Sequence, residues 1–306
     1  MSTSEHLDAG ALTSIAVALL TWSSAYAAIA YALPSFSPGE LALARLSIAS
    51  LCFAVLLLVR RTPLPAWRDL PKLAVLGVVG LTAYHLCLNT AETQIAGGTA
   101  AIIISLVPAA TAALSALWLG ERLSRRTWLG LGIALAGTVL VVLASGQQVK
   151  ADPRALLVLG CVLASAIYFV GQKPLSARYG SLTVTAFTFF AATLGTVPFG
   201  WHLPWALAAA PWSRIGALFW LGVAPSFVGY LAWNTAMHRA SASRVSSFIY
   251  LSPPIAILIG WLWLHEVPGP GVLLGGVVVI AGVVLANARR RARLPASPLP
   301  DACKPS

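Results

Sequence analysis

The chain has 306 residues, of which 58% are hydrophobic and only 9% charged, against roughly a quarter charged in a soluble domain. That balance excludes a soluble globular protein and leaves no polar stretch long enough for a catalytic domain outside a membrane. A formal net charge of +11 invites a nucleic-acid partner, but the placement of the basic residues points to membrane topology instead.

Crossing a bilayer core takes about 20 mostly apolar residues per helix. Ten runs of that kind are expected in chain order. The first five cover Ala11–Ala32, Leu41–Val59, Leu73–Ala91, Gly98–Leu119 and Thr127–Ala144. The second five cover Ala155–Val170, Val184–Phe199, Ile215–Met237, Val245–Leu264 and Gly271–Ala288. Barrel strands would be about ten residues long with alternating polarity, and these runs are too long and too uniform. The expected architecture is therefore an all-α polytopic membrane protein. Its parts are an N-terminal segment (1–10), a first five-helix unit (11–146), a second five-helix unit (147–288) and a basic, Pro-rich tail (289–306). The opening "MSTSEHLDAG" has two acids and no Lys or Arg, so the first run reads as a retained span and not as a cleaved signal.

With the N-terminus inside, Arg60, Arg61, Arg68, Lys72, Arg122, Arg125, Arg126, Lys173, Arg178, Arg239, Arg244 and the tail arginines all fall on the inner side. Only Lys150, Arg154 and Arg214 fall outside, and Arg45 lies within a span. That asymmetry places both termini in the cytoplasm. The basic residues then meet anionic lipid head groups, with no call on nucleic acid. Cys52, Cys87, Cys161 and Cys303 are isolated, without metal-ligand or redox spacing, and no metal or cofactor is expected.

"LWLGE" ends at Glu121 and "LWLHE" at Glu266, an offset of 145 (266 − 121). At that offset Asn89-Thr90-Ala91 falls on Asn234-Thr235-Ala236, Pro108 on Pro253, Trp118 on Trp263, Gly130 on Gly275 and Ala136-Gly137 on Ala281-Gly282. The chain is thus a duplicated five-helix unit. Five is odd, so the second unit enters the membrane from the opposite side, and inverted repeats of this kind are a transporter device.

The stretch "AGGTAAIIISLVPAATAALSALWLGERLSRRTWLGLGIALAGTVLVV" resembles the EamA-type half repeat of the drug/metabolite transporter superfamily. "SASRVSSFIYLSPPIAILIGWLWLHEVPGPGVLLGGVVVIAGVVLAN" is similar to the second copy, and "SPGELALARLSIASL" to the family's second helix with its arginine, here Arg45. The resemblance covers nearly the whole chain except the tail. It implies a ten-helix bundle around a central cavity, an inner-membrane location and export of a small metabolite, with a likeness to bacterial aromatic amino acid exporters.

Polar and aromatic residues inside spans mark the candidate site. Pro108, and the pair Pro253 and Pro254, interrupt the fourth and ninth helices near mid-span, as hinges or as packing kinks. Trp22, Tyr26, Tyr84, His85, Tyr168, Tyr230, Trp233 and Tyr250 are the candidate substrate-binding rings, whose flat faces and polar tips suit an aromatic or apolar body. His85 can carry a proton or donate a hydrogen bond, although a lone histidine in a span is more often a satisfied polar residue. Arg45 can take a substrate carboxylate, or can snorkel to its helix end. Glu121 and Glu266, with Asn89 and Asn234, are helix-end structural or gating candidates. The small-residue spacings Gly132 to Ala136 and Gly271 to Gly275 permit close helix contact, within a monomer or across a homodimer.

An enzyme would need a Ser/His/Asp set, a metal motif or paired carboxylates; neither HExxH nor GxSxG occurs. The first helix has no acid, which argues against a membrane Glu exchanging protons for cationic drugs. The rivals within transport are a cation exporter using Glu40 or Glu92 and an uncoupled facilitator.

Overall fold

The computed structural model describes residues 8–93, 103–121, 123–144, 155–252, 255 and 269–287, and among them the regular structure is helical. Pro253, Pro254, Trp263 and Glu266 lie outside the described residues. Among the described residues, six helices are long and apolar enough to cross a membrane: Ala9–Ala32, Pro38–Arg60, Trp67–Glu92, Leu156–Gly200, Trp212–Arg239 and Pro270–Asn287. Two more, Val107–Trp118 and Arg125–Ala144, carry the fourth and fifth apolar runs.

The count of six against ten runs has identifiable causes. Most of the ninth run lies outside the described residues. The loop expected between the sixth and seventh runs does not exist: helix continues from Ala155 to Gly200, broken only at Gly180, where φ is 81°. A side chain is strained at that angle, so the reversal falls on the one residue that accepts it. At 46 residues the element is twice the length one crossing needs.

The second helix starts on a capping box. Ser37 Oγ accepts from the Glu40 backbone N–H, and the Ser37 N–H donates back to Glu40 Oε2 at 2.7 Å. Two of the orphan donors at this helix start are satisfied, and Glu40 takes part in the cap through Oε2.

The third and eighth helices widen at matching positions. Val78–Ala83 and Gly222–Gly229 are π-helical, and the offset of 145 places residues 78–83 onto 223–228. In the eighth helix Pro225 accounts for the wide turn, because its ring lacks a donor and clashes with the preceding turn. In the third helix its counterpart is Gly80, which lets the backbone approach Tyr168 so closely that a Cβ there would stand 2.5 Å from the tyrosine Cβ. Each widened segment packs on the other unit: Thr82 Oγ1 donates to the Ala192 carbonyl in the seventh helix, and Trp22 Nε1 in the first helix donates to the Pro225 carbonyl.

The fifth and tenth helices show the same exchange of partners. Gly137 rests on Val279, while Gly282, the repeat counterpart of Gly137, rests on Ala134, the counterpart of Val279. Gly130 meets Ala286, and Gly275 meets Val141. The contacts rise along one helix as they fall along the other, so the pair is antiparallel. Small residues at these crossings let the backbones touch. The packing face is Gly130, Ala134, Gly137 and Val141, not the expected Gly132 and Ala136, which are exposed. Within the single chain the contact between the two helices thus uses a different face of the fifth helix from the Gly132 and Ala136 spacing.

Candidate functional site

Trp22 is the hinge of an aromatic cluster that joins the first, sixth and eighth helices. Its ring lies 4.9 Å from Trp233, 5.2 Å from Tyr230 and 6.4 Å from Phe169, centroid to centroid. Tyr230 continues the chain of rings to His85 at 6.2 Å and Tyr168 at 6.1 Å, and His85 reaches Tyr84 at 5.1 Å. Most of these contacts are tilted or edge-on, the geometry that ring quadrupoles favour. The wide π-helical turns sit directly below Tyr84 and Tyr230, which begin the α-helical segments that follow them. Those turns set the angle at which both rings and His85 enter the cluster.

Several polar atoms here are buried and unpartnered. Both ring nitrogens of His85 lack a hydrogen-bond partner, as does Trp233 Nε1. Arg45 is 3% exposed, so it does not snorkel. Its helix face is pressed against the π-helical turn of the eighth helix, and its Nε donates to Ser226 Oγ at 3.0 Å while Nη1 has no partner. An arginine held this deep without an anion carries a large desolvation cost. Glu92, at the end of the third helix, also buries one carboxylate oxygen, Oε1, without a partner. Tyr26 and Tyr84 are partly buried and pack against the same core as Trp22.

Other residues singled out in the sequence make different contacts. Tyr168 and Asn234 form a buried polar knot: Asn234 accepts from Gln172 Nε2 at 2.7 Å and donates to Tyr168 Oη and Thr185 Oγ1, both at 2.8 Å. Asn234 is therefore an interior tie between the eighth, sixth and seventh helices and not a helix-end residue. Asn89 does the equivalent in the first unit, donating to the Pro38 carbonyl at 3.0 Å. Tyr250 is buried in a separate cluster with Leu131, Ala134 and Val279 of the fifth and tenth helices, away from Trp22 and Arg45. Pro108 sits in the first turn of Val107–Trp118, immediately after a turn at Ser105 and Leu106, so its missing N–H costs no ladder bond.

Glu121 closes the opposite end of the fourth helix onto the ninth. Its carboxylate accepts from the Ala242 and Ser243 backbone N–H groups at 3.0 and 3.4 Å and from Ser243 Oγ at 2.6 Å. Lys173 Nζ stands 4.0 Å away and donates to the Ala240 carbonyl. The same end holds Asp69, which accepts from Tyr179 Oη at 2.6 Å and pairs with Arg178 at 2.8 Å.

Three contributors escaped the sequence reading, and a fourth was read in one role only. Ser226 was hidden beside Pro225. Gln172 fell in the presumed loop, and Phe169 is one apolar ring among many. Glu92 was weighed only as a cation ligand, although it is a carboxylate at the end of an apolar run and so carried a signal.

The profile of the EamA-like transporter family matches twice, over residues 9–143 and 153–288. A protein of Streptantibioticus cattleyicolor named as a probable terminal-alkyne amino-acid exporter is 34% identical over 286 residues, covering 92% of this chain and 95% of the relative. An uncharacterized transporter of Bacillus subtilis is 31% identical, covering 86% of each. A pseudopaline exporter of Pseudomonas aeruginosa is 27% identical over 93% of this chain and 98% of its own. A solved crystal structure superposes with a TM-score of 0.74 over 92% of this chain at 22% identity, which speaks to the fold alone. With both halves matched, the chain belongs to the EamA-like transporter family.

Proposed function

We propose that the protein exports amino acids, aromatic or otherwise neutral, across the bacterial inner membrane by alternating access. The observation that carries this is the ring cluster of Trp22, Tyr84, His85, Tyr168, Tyr230 and Trp233, built from both units, with unpartnered nitrogens on His85 and Trp233. A substrate with a flat apolar body and polar ends would satisfy those atoms and stack on those faces. The amino-acid exporter among the relatives supports the substrate class.

In this reading ten helices form two inverted five-helix units with both termini cytoplasmic. The reciprocal contacts of the fifth and tenth helices and the paired π-helical turns support that arrangement. Exchanging the conformations of two such units carries a midplane site from one face to the other. Glu121 then ties the fourth and ninth helices on the cytoplasmic side, and Pro108 marks where the fourth helix bends.

The test is uptake of labelled Phe, Tyr, Trp, Leu and Thr, with a quaternary ammonium compound as rival, into liposomes containing the purified protein. Selective movement of the amino acids is expected. Movement of the quaternary cation alone would replace this reading with a cation exporter centred on Glu92.

A further inference from the structure

Arg45 is a cation that the fold buries without neutralising it. It is 3% exposed, a guanidinium keeps its charge even inside a protein, and among the described residues it joins no ion pair. The Ser226 hydroxyl that accepts from its Nε is neutral, and Nη1 has no partner. A buried charge left without a counter-charge is strongly destabilising, so this position calls for an anion.

Cross-helix contacts fix the depth at which that anion would sit. At the start of the second helix, the Pro38 carbonyl accepts from Asn89 Nδ2 of the third at 3.0 Å. About three helical turns further on, Ser50 and Thr82 meet adjacent residues of the seventh helix. Ser50 Oγ lies 2.8 Å from Thr193 Oγ1, and Thr82 Oγ1 donates to the Ala192 carbonyl at 2.9 Å. Pro38 and Ser50 on one helix are thus level with Asn89 and Thr82 on the other. Arg45 falls about midway along the first interval and His85 about midway along the second. On the eighth helix, Ser226 stands one turn before Tyr230, whose ring is 6.2 Å from His85. The guanidinium is therefore level with the ring cluster.

Resting on the amino-acid reading above, we propose that Arg45 binds the α-carboxylate of the substrate and that Ser226 positions it for that task. With Nε held by Ser226, the edge carrying Nη1 remains for the two oxygens of a carboxylate, the planar pairing that arginine favours. One unneutralised positive charge matches the one negative charge of a carboxylate. An ester or amide of the same substrate would leave Arg45 unneutralised, and a quaternary cation would add a second positive charge beside it. The substrate body then lies toward Tyr84, His85 and Tyr230. Sites built to pair a polar group reject analogues that lack it far more strongly than apolar pockets reject a missing methylene.

The full-length protein in liposomes, exchanging labelled phenylalanine, decides the matter by competition. The competitors are unlabelled phenylalanine, its amide and its methyl ester, which differ only at the carboxyl end. Phenylalanine is expected to compete at least about 100-fold better than either derivative. Arg45→Gln is expected to shrink that ratio to about tenfold or less. Ser226→Ala is expected to lower it several-fold, through a guanidinium that is no longer held. The ratio is the informative readout, because a variant that merely loses folded protein lowers total exchange and leaves the ratio unchanged. Should Arg45→Gln fail to fold, Ser226→Ala and the wild-type series carry the test. Exchange blocked equally well by acid, amide and ester, or a ratio that neither variant changes, would overturn this inference while leaving amino-acid export intact. Failure of phenylalanine to exchange, with transport of a quaternary cation, would instead remove the reading on which it rests.

Discussion

The contact between the fifth and tenth helices makes a graded prediction about single methyl groups. A Cβ added at Gly137 would stand 2.6 Å from the Val279 nitrogen, and one at Gly282 would stand 2.4 Å from the Ala134 nitrogen. Ordinary Cβ contacts begin near 3.4 Å, so Gly137→Ala must part the helices by about 0.8 Å (3.4 − 2.6) and Gly282→Ala by about 1.0 Å (3.4 − 2.4). The obstacle is backbone, which cannot swing aside as a side chain would. Overpacking of this kind costs about 1–3 kcal/mol. Gly132 and Gly276 have nothing within 4 Å of an added Cβ. There, alanine's better helix propensity should be neutral or stabilise by up to about 1 kcal/mol. Thermal unfolding of the detergent-purified variants measures the difference, at about 2 °C per kcal/mol for a chain of this size. Gly137→Ala and Gly282→Ala should fall by similar amounts, about 2–6 °C, and Gly132→Ala and Gly276→Ala should not fall. If Gly132→Ala cost as much as Gly137→Ala, the packing face would be wrong. If Gly137→Ala and Gly282→Ala differed widely, the reciprocity of the two halves would be wrong.

Glu121→Gln keeps the shape of the side chain but removes the charge that the Ala242 and Ser243 donors and Lys173 face; a loss of about 1–3 kcal/mol is expected in the same unfolding assay. Asn234→Leu removes three interhelical hydrogen bonds, each worth about 0.6 kcal/mol on average in membrane bundles; apparent stability should drop by about 2 kcal/mol, and an unchanged melting temperature would contradict the buried knot. Trp22→Phe keeps a ring against Tyr230 and Trp233 but loses the bond to the Pro225 carbonyl. Folding should survive, and labelled phenylalanine uptake should fall several-fold.

Much of the fold was legible in the chain because apolar length and repetition are strong signals. The matched Asn, Pro, Trp and Glu residues exposed the duplication, which the two family matches show; the inversion drawn from the odd number of runs is part of the proposal. Gly180 shows where such reading stops. A one-residue reversal leaves no polar stretch, so an expected loop of a dozen residues is helix almost throughout. The π-helical turns were not legible: Pro225 explains one only once its helix is seen, and its counterpart Gly80 is an unremarkable glycine until the packing against Tyr168 is seen. Within the site, ring types at mid-span picked out Trp22, Tyr84, His85 and Tyr230 as binding candidates, and the structure brings these four rings into one cluster. Helical position alone could not place Tyr250, whose helix turns it toward the fifth and tenth helices, nor could it decide whether Arg45 reached outward or was trapped inward. Those outcomes depend on which helix lies opposite, and that is a long-range fact.

The central claim is that the cluster serves a carrier that presents one site alternately to each side. Counterflow tests it most directly: liposomes preloaded with unlabelled phenylalanine are diluted into trace labelled phenylalanine, and internal label is followed over time. An alternating-access carrier must show a transient overshoot of label above its equilibrium level, because each outward trip of unlabelled substrate returns a site for inward transport. A simple monotonic approach to equilibrium, unaffected by preloading, would mean a continuous pore and would contradict the account.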